Sequence, residues 1–363
     1  MINSLPPYIL YLLAIAGSFV VSLYAVRKII FITRHRRIFD IPDNTRKIHG
    51  AEIPSLGGIG IFVGYIVIAA FFMFIDKSRW NYILISSVIL FFTGIYDDLM
   101  NMRPLKKLLA QLIASAITVF FVIMPSVYKD PRLYVSSFEI WSVFTVLTIA
   151  CTFFINAFNF IDGIDGLACV LSVLYTAVLG ILFAINGEAT IAAVIFSLAG
   201  ATLGLLYYNR PPAKIYMGDT GSMLIGFNIF IFSILYLLGH PRSDHGIFAD
   251  SLYFPVLVAV AILFFPAFDA VRVFILRLSK GISPLKADRT HLHYYLLDAG
   301  FSHSRSVLII TIGNVIIISL AFILNNVNPI VVILLYILVA SIMLAIIYRL
   351  RQKKLSEGLR KNS

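Results

Sequence analysis

VLTIACTFFINAFNFIDGIDGLACVLSVLYTAVLGILFA, residues 146–184, holds two apolar runs on either side of NAFNFIDGIDGLA (156–168), which carries two carboxamides and two carboxylates. Charge at membrane depth costs about 2.5–3.5 kcal/mol per carboxylate on insertion scales, so polar groups between such runs point to function. The three-residue spacing of Asn156, Asn159, Asp162 and Asp165 is informative. Each step of three turns a helix by about 300°, so the four cannot share one straight helical face. Gly163 and Gly166 predict a break or bend that brings the remainder round.

The apolar pattern continues outward in both directions. Of 363 residues, 60% are hydrophobic and 13% charged, with 30 Phe and 18 Tyr, and mean hydropathy is +0.93. These values exclude an ordinary soluble globular chain and predict an all-α, polytopic integral membrane protein. Eleven transmembrane spans are expected at roughly 8–26, 57–75, 80–96, 106–124, 139–155, 164–185, 189–208, 221–239, 251–271, 306–324 and 329–347. No remaining segment is large enough for a soluble domain. Residues 1–348 are therefore expected to form a single transmembrane catalytic domain, with 349–363 as a basic cytoplasmic tail. The N-terminus has neither the basic region nor the cleavage site of a secretory signal and is expected to be a retained first span. Cys151 and Cys169 lie in or beside apolar runs with no metal-binding or disulfide spacing, which predicts core packing.

A net charge of +11 raises nucleic acid as a partner, but the basic residues sit in short segments between apolar runs. Membrane orientation explains them better. With the N-terminus outside, the inner segments hold 24 Lys or Arg and the outer ones 5, so the C-terminus is expected in the cytoplasm. The same topology puts RKIH (46–49), YDD (96–98), NAFNFIDGIDG (156–166), MGDTGS (217–222) and DRTHLH (288–293) on the cytoplasmic side. That is the arrangement of an active site facing cytosolic substrates. A transporter of an anionic or lipid-linked solute, the alternative, would spread polar groups near the midplane.

Each cluster has its own chemistry. Asp97 and Asp98 close an apolar run, and as helical neighbours they point about 100° apart, so they take different partners. The all-oxygen donors of the NAFNFIDGIDG stretch suit a hard cation such as Mg²⁺ better than zinc or copper, the alternative being helix capping. Asp219, between glycines, precedes a helix whose N-terminus can offer amides to phosphate or take Asp219 as a cap. His291 and His293 share one side of an extended segment but lie about 200° apart on a helix.

Together, in this order, these clusters resemble the polyprenyl-phosphate N-acetylhexosamine-1-phosphate transferase family. The resemblance spans DIPDNTRKIHGAEIPSLGGIGIF (40–62), the Asp pair, NAFNFIDGIDGLA, YMGDTGSMLIGF (216–227) and PAFDAVRVFILRLSKGISPLKADRTHLHYYLL (266–297). It is similar to the branch that starts O-antigen, enterobacterial common antigen or teichoic acid linkage rather than the muramyl-pentapeptide branch. The resemblance implies transfer of a sugar 1-phosphate from a UDP-N-acetylhexosamine, UDP-GlcNAc foremost, to undecaprenyl phosphate, with release of UMP, in the bacterial inner membrane. It implies Mg²⁺, with Mn²⁺ as a substitute, held by Asp219 and Asn159. Asp97, Asp98, Asp162 and Asp165 become the catalytic candidates. Asn156, Arg46, Lys47, His49, Lys106, Arg289, His291 and His293 become the substrate-binding candidates. Membrane lipids are expected neighbours, and a homodimer is compatible with this reading. One departure stands out: the family's HxHH loop has Tyr294 in its last position here.

Overall fold

The computed structural model describes residues 6–36, 53–76, 81–129, 136–239, 251, 253–283 and 288–361. Taking Pro104–Tyr128 as one helix with a π turn at Val119–Ile123, the described residues form twelve helices and no strand. They are α1 (Pro7–Arg36), α2 (Gly57–Asp76), α3 (Asn81–Met100), α4 (Pro104–Tyr128), α5 (Ser137–Asn159), α6 (Leu167–Ile185), α7 (Ala189–Asn209), α8 (Gly218–Gly239), α9 (Phe254–Ser279), α10 (Leu292–Asp298), α11 (His303–Ile323) and α12 (Pro329–Lys361). Ten of them are long and apolar enough to cross a bilayer, as expected of a multi-pass membrane protein. The remaining expected span falls on α2, whose stretch Gly57–Phe72 is a shorter apolar helix.

Local signals explain several boundaries. Pro104 stands at the start of α4, where its missing N–H costs nothing. Ser136 and Glu139 form a reciprocal capping box at the start of α5. At its other end α5 continues through Asn156 to Asn159, about one turn beyond the expected 155. There the chain breaks, and Gly166, at φ +81°, starts α6. The expected bend is present.

The core is built on α8, which is buried without interruption from Thr220 to Tyr236. A helix that is apolar on all sides belongs in the interior of a bundle, and α2, α3, α5, α6 and α9 surround it. α1 packs on α2 and α7, while α10, α11 and α12 close the side next to α9. Large apolar side chains such as Leu12, Phe92, Trp141, Ile275 and Leu334 face outward, where a bilayer solvates them. Buried polar groups are matched between helices: Tyr65 donates to Asn228 Oδ1 at 2.8 Å, Tyr175 donates to Asn314, and Ser22 donates to the Ala201 carbonyl at 2.7 Å. Such closed pairs hold helices together where hydrocarbon supplies no hydrophobic force. Both cysteines are buried and free, in agreement with core packing.

Close backbone approach positions α3 against the start of α8. A Cβ added to Gly94 would lie 2.4 Å from Thr220 Cα and 2.6 Å from Thr220 N, neither of which can rotate away. Gly94→Ala is therefore expected to destabilise the protein by about 1–3 kcal/mol, the usual range for overpacking. Thermal unfolding in detergent reads this out. An unchanged midpoint would show that α3 and α8 separate at little cost.

Candidate active site

The site grows from the N-terminus of α8. Residues 54–58 dock on the preceding segment through backbone bonds, Tyr216 N to the Pro54 carbonyl at 2.9 Å and Gly58 N to the Met217 carbonyl at 2.7 Å. Gly218 then takes φ +72°. A Cβ there would lie 2.0 Å from the Ser55 carbonyl oxygen, so conformation and space both demand glycine. The exposed amides that follow are capped from another helix. Asp98 Oδ1 accepts from Asp219 N at 2.8 Å, and Oδ2 accepts from Thr220 N at 3.0 Å and Thr220 Oγ1 at 2.6 Å. The helix end is thus satisfied by a carboxylate 121 residues away in sequence.

Asp97 turns elsewhere, as its angle to Asp98 requires. Its Oδ1 accepts from Met102 N at 2.6 Å, and its Oδ2 accepts from Lys107 Nζ at 2.8 Å. The same Nζ also donates to Asp219 Oδ2. On the other side of Asp219, Oδ1 accepts from Asn159 Nδ2 at 2.5 Å, and that amide also donates to Ser222 Oγ at 2.7 Å. Three helices, α3, α4 and α5, thereby converge on the first turn of α8 through one shared ammonium and one amide.

Lys107 was not among the expected site residues. Lys106 was, and it lies on the exposed side of α4 while Lys107 is turned inward. The signal was a polar stripe at intervals of four and three, Lys107, Gln111, Ser115 and Thr118, of which the last three are buried. This is one face of a helix whose other faces are apolar. Asn156 lies one turn along α5 from Asn159, where its amide donates to Gln111 Oε1 at 2.7 Å and to the Thr152 carbonyl at 2.8 Å. It therefore backs the site rather than lining it.

The α5–α6 turn supplies Asp162 and Asp165, which point apart. Asp165 is buried and accepts from Ala213 N at 3.1 Å, with His303 Nδ1 at 3.4 Å from its other oxygen. It ties the turn to the α7–α8 connection and to α11. Asp162 receives a backbone hydrogen bond from Gly218, on the site side.

The DRTHLH segment closes over this turn. Asp288 is clasped by Arg277 at 2.9 Å. Against the desolvation that would raise its carboxyl, bonds from Arg277 and Thr290 hold it at about 2. His291 precedes the first turn of α10 and His293 lies in it, so neither purely extended nor purely helical spacing applies. Their rings are nearly parallel with centroids 5.8 Å apart, and both are buried. Burial first, then the neighbouring His291 and Arg272, push the His293 imidazole down to about 3, so it is neutral. Arg289 faces away, pairing with Asp298 at 3.2 Å and lying over the Tyr294 ring. Arg46, Lys47 and His49 lie outside the described residues.

A family model described as Glycosyl transferase family 4 matches residues 80–237. The chain is also 32% identical over 305 residues, 82% of each chain, to the probable undecaprenyl-phosphate N-acetylglucosaminyl 1-phosphate transferase of Bacillus subtilis. It belongs to the polyprenyl-phosphate N-acetylhexosamine-1-phosphate transferase family. Other relatives are the decaprenyl-phosphate N-acetylglucosaminephosphotransferase of Mycobacterium leprae, 32% identical over 73% of this chain and 71% of that one, and the undecaprenyl-phosphate alpha-N-acetylglucosaminyl 1-phosphate transferase of Escherichia coli K12, 28% identical over 76% and 74%. The protein is accordingly a phosphosugar transferase. Within the family-matched stretch lie Asp97, Asp98, Lys107, Asn159, Asp162, Asp165 and Asp219; the histidines lie beyond it.

The family's expected cation can be tested against the side chains of this transferase. Among the described residues, no group of three or more His, Cys, Asp or Glu is arranged to hold a metal. Mg²⁺ asks for less, because it binds through one or two carboxylates and completes its shell with water and substrate phosphates. Asp97 and Asp219 supply two carboxylates directed at one point, where Lys107 Nζ now carries the positive charge. A half-turn of the Asn159 amide brings its oxygen to the same region. The donors fit a hard cation.

Asp162 gives the transferase a pH signature. Burial, then the charges of Asp219 and Asp165, raise its carboxyl from 3.8 to about 7. Between these values the folded protein binds the proton that the unfolded chain has lost, so the Asp162 contribution to stability falls as pH rises from about 4 to about 7. Asp162→Asn is expected to raise the unfolding midpoint relative to the parent more at about pH 8 than at about pH 5. Equal shifts at both would place Asp162 in a more solvated setting.

Proposed function

We propose that this enzyme transfers N-acetylhexosamine 1-phosphate, with GlcNAc 1-phosphate as the first choice, from the UDP-sugar to undecaprenyl phosphate. The products are the lipid-diphosphate sugar and UMP, and the reaction is the first membrane step of a cell-surface glycan pathway. The observation that carries this reading is the Asp97–Lys107–Asp219–Asn159 cluster, set at helix ends in a chain whose relatives are named for this type of transfer. The excess of Lys and Arg in alternate connections favours a cytoplasmic site in the inner membrane.

A phosphate oxygen of the lipid forms a bond to the sugar-bearing phosphorus. The bond from that phosphorus to the bridging oxygen breaks, and its electrons leave with UMP. Donor and acceptor are both anions, so the site must supply positive charge and alignment. Lys107 brings a cation held by Asp97 and Asp219, able to turn from either carboxylate to a phosphate oxygen. Mg²⁺ held by Asp219, Asp97 and Asn159 would neutralise the diphosphate and the developing charge on the leaving UMP. Asp98 fixes the first turn of α8 and hence Asp219. The lipid phosphate is already anionic near neutral pH, so a strong base is not required, and Asp97 acts through positioning. Asp162 and the His291 imidazole border the nucleotide-sugar side, and Asp165 holds the turn that carries Asp162.

Purified protein in detergent or nanodiscs, given Mg²⁺, undecaprenyl phosphate and UDP-GlcNAc, is expected to release UMP and form a lipid-linked sugar detectable by mass spectrometry. A panel of UDP-N-acetylhexosamines identifies the preferred donor. A folded preparation that turns over none of them would sink the proposal.

A further inference from the structure

We propose that Asp269, which no step above uses, is a positioning residue that orients His291 so its Nε2–H can meet an anionic oxygen of the nucleotide sugar's diphosphate. This rests on the donor class proposed above. Asp269 lies on α9, is 3% exposed, and sits 22 residues before His291 in sequence. Its Oδ2 is 2.8 Å from His291 Nδ1. A carboxylate has no hydrogen to offer, so Nδ1 carries the proton and donates it. Nε2 is thereby the ring atom left for a ligand. Among the described residues it has no protein partner, and unlike His293 Nε2 it is not a sealed, orphaned atom.

The other carboxylate oxygen is fully engaged. Asp269 Oδ1 accepts from Arg272 Nε at 3.1 Å, Arg272 Nη2 at 2.6 Å and Leu292 N at 3.3 Å, while Arg272 Nη2 also donates to the Thr290 carbonyl at 2.6 Å. These bonds lock the residues on both sides of His291 to α9. The ring itself packs 5.3 Å from Phe160, the residue that follows Asn159 in the site. With the nucleotide sugar bound, Nδ1 faces the Asp269 carboxylate and Nε2 a phosphate oxygen; both are acceptors, so both nitrogens carry hydrogen and Nε2 is a charge-assisted donor to phosphate.

The crowding on Oδ1 makes Asp269→Asn a sharp probe. Three donors aim at that atom, so the amide oxygen must stay there and the NH₂ must face His291 Nδ1. Nδ1 then has to accept, which excludes the imidazolium and leaves a neutral ring with its hydrogen on Nε2. The prediction has a readout that needs no turnover: in ¹⁵N-histidine-labelled protein, the His291 Nδ1–H present in the parent is absent in Asp269→Asn. In the UMP assay, KM for UDP-GlcNAc is expected to rise by about 10–100-fold, within the range for weakening a hydrogen bond between charged groups, with kcat changed far less. In a His291→Asn background, Asp269→Asn is expected to add little. Retention of Nδ1–H in Asp269→Asn overturns the proposal, as does a full additional loss in the His291→Asn background, which would mark Asp269 as only a structural tie. Parent protein that does not turn over any UDP-sugar refutes the donor class instead, while the imidazole measurement still decides the Asp269–His291 pairing.

Discussion

Asp219→Ala is expected to reduce UMP release by about 10³-fold or more, the upper range for removing a single preorganised electrostatic group from a reaction centre. Two features of the structure make the loss specific. Among the described residues, Asp219 is the one carboxylate bonded both to Lys107 and to Asn159, so its removal frees the cation on one side and the amide on the other. The helix that carries it does not depend on its side chain, because Asp98 caps the α8 amides from α3. The variant should therefore insert and unfold much like the parent while failing to turn over. Thermal unfolding and UMP release on the same preparation separate the two effects. Activity within about tenfold of the parent would remove Asp219 from the reacting centre; a collapsed unfolding midpoint would show that Asp98 alone does not hold α8 in place.

The contrast between Asp98 and Asp219 also shows what was legible in the sequence. The helices were, because an apolar run of sufficient length has few other fates in a chain of this composition. The break in NAFNFIDGIDGLA was legible too, since four polar residues at intervals of three cannot lie on one helix face. Its position was less so. α5 extends through Asn156 because that amide bonds the Thr152 carbonyl one turn back and Gln111 on α4, partners that a hydropathy profile does not see.

Pairings between distant segments were hidden for the same reason. Nothing local to YDD indicates that its second carboxylate caps a helix 121 residues later, or that Asp165 meets His303 across 138 residues. The choice between Lys106 and Lys107 was open to sequence reasoning, yet composition cannot make it. Only the register of the buried polar stripe on α4 distinguishes the cation facing Asp219 from the one facing away.

Lys107→Met is the more demanding test, because it should impair stability and turnover together. Lys107 Nζ sits between Asp97 and Asp219, whose side chains are 12% and 27% exposed. An apolar side chain of similar length leaves two carboxylates facing each other without their shared cation. Removing one partner of a buried charge group typically costs about 3–5 kcal/mol; the partial exposure of Asp219 puts the expected loss at the lower end, about 3 kcal/mol. Adding Asp97→Asn to Lys107→Met removes the repulsion and should restore much of the unfolding midpoint. It should not restore turnover, since the Lys107 ammonium between Asp97 and Asp219 is then missing when the phosphates arrive. Recovery of stability without activity is the pattern required of a cation that first holds the carboxylates apart and then serves the substrate. Recovery of both would mean that Lys107 only neutralises its neighbours, and the positive charge for phosphoryl transfer would have to come from elsewhere in the site.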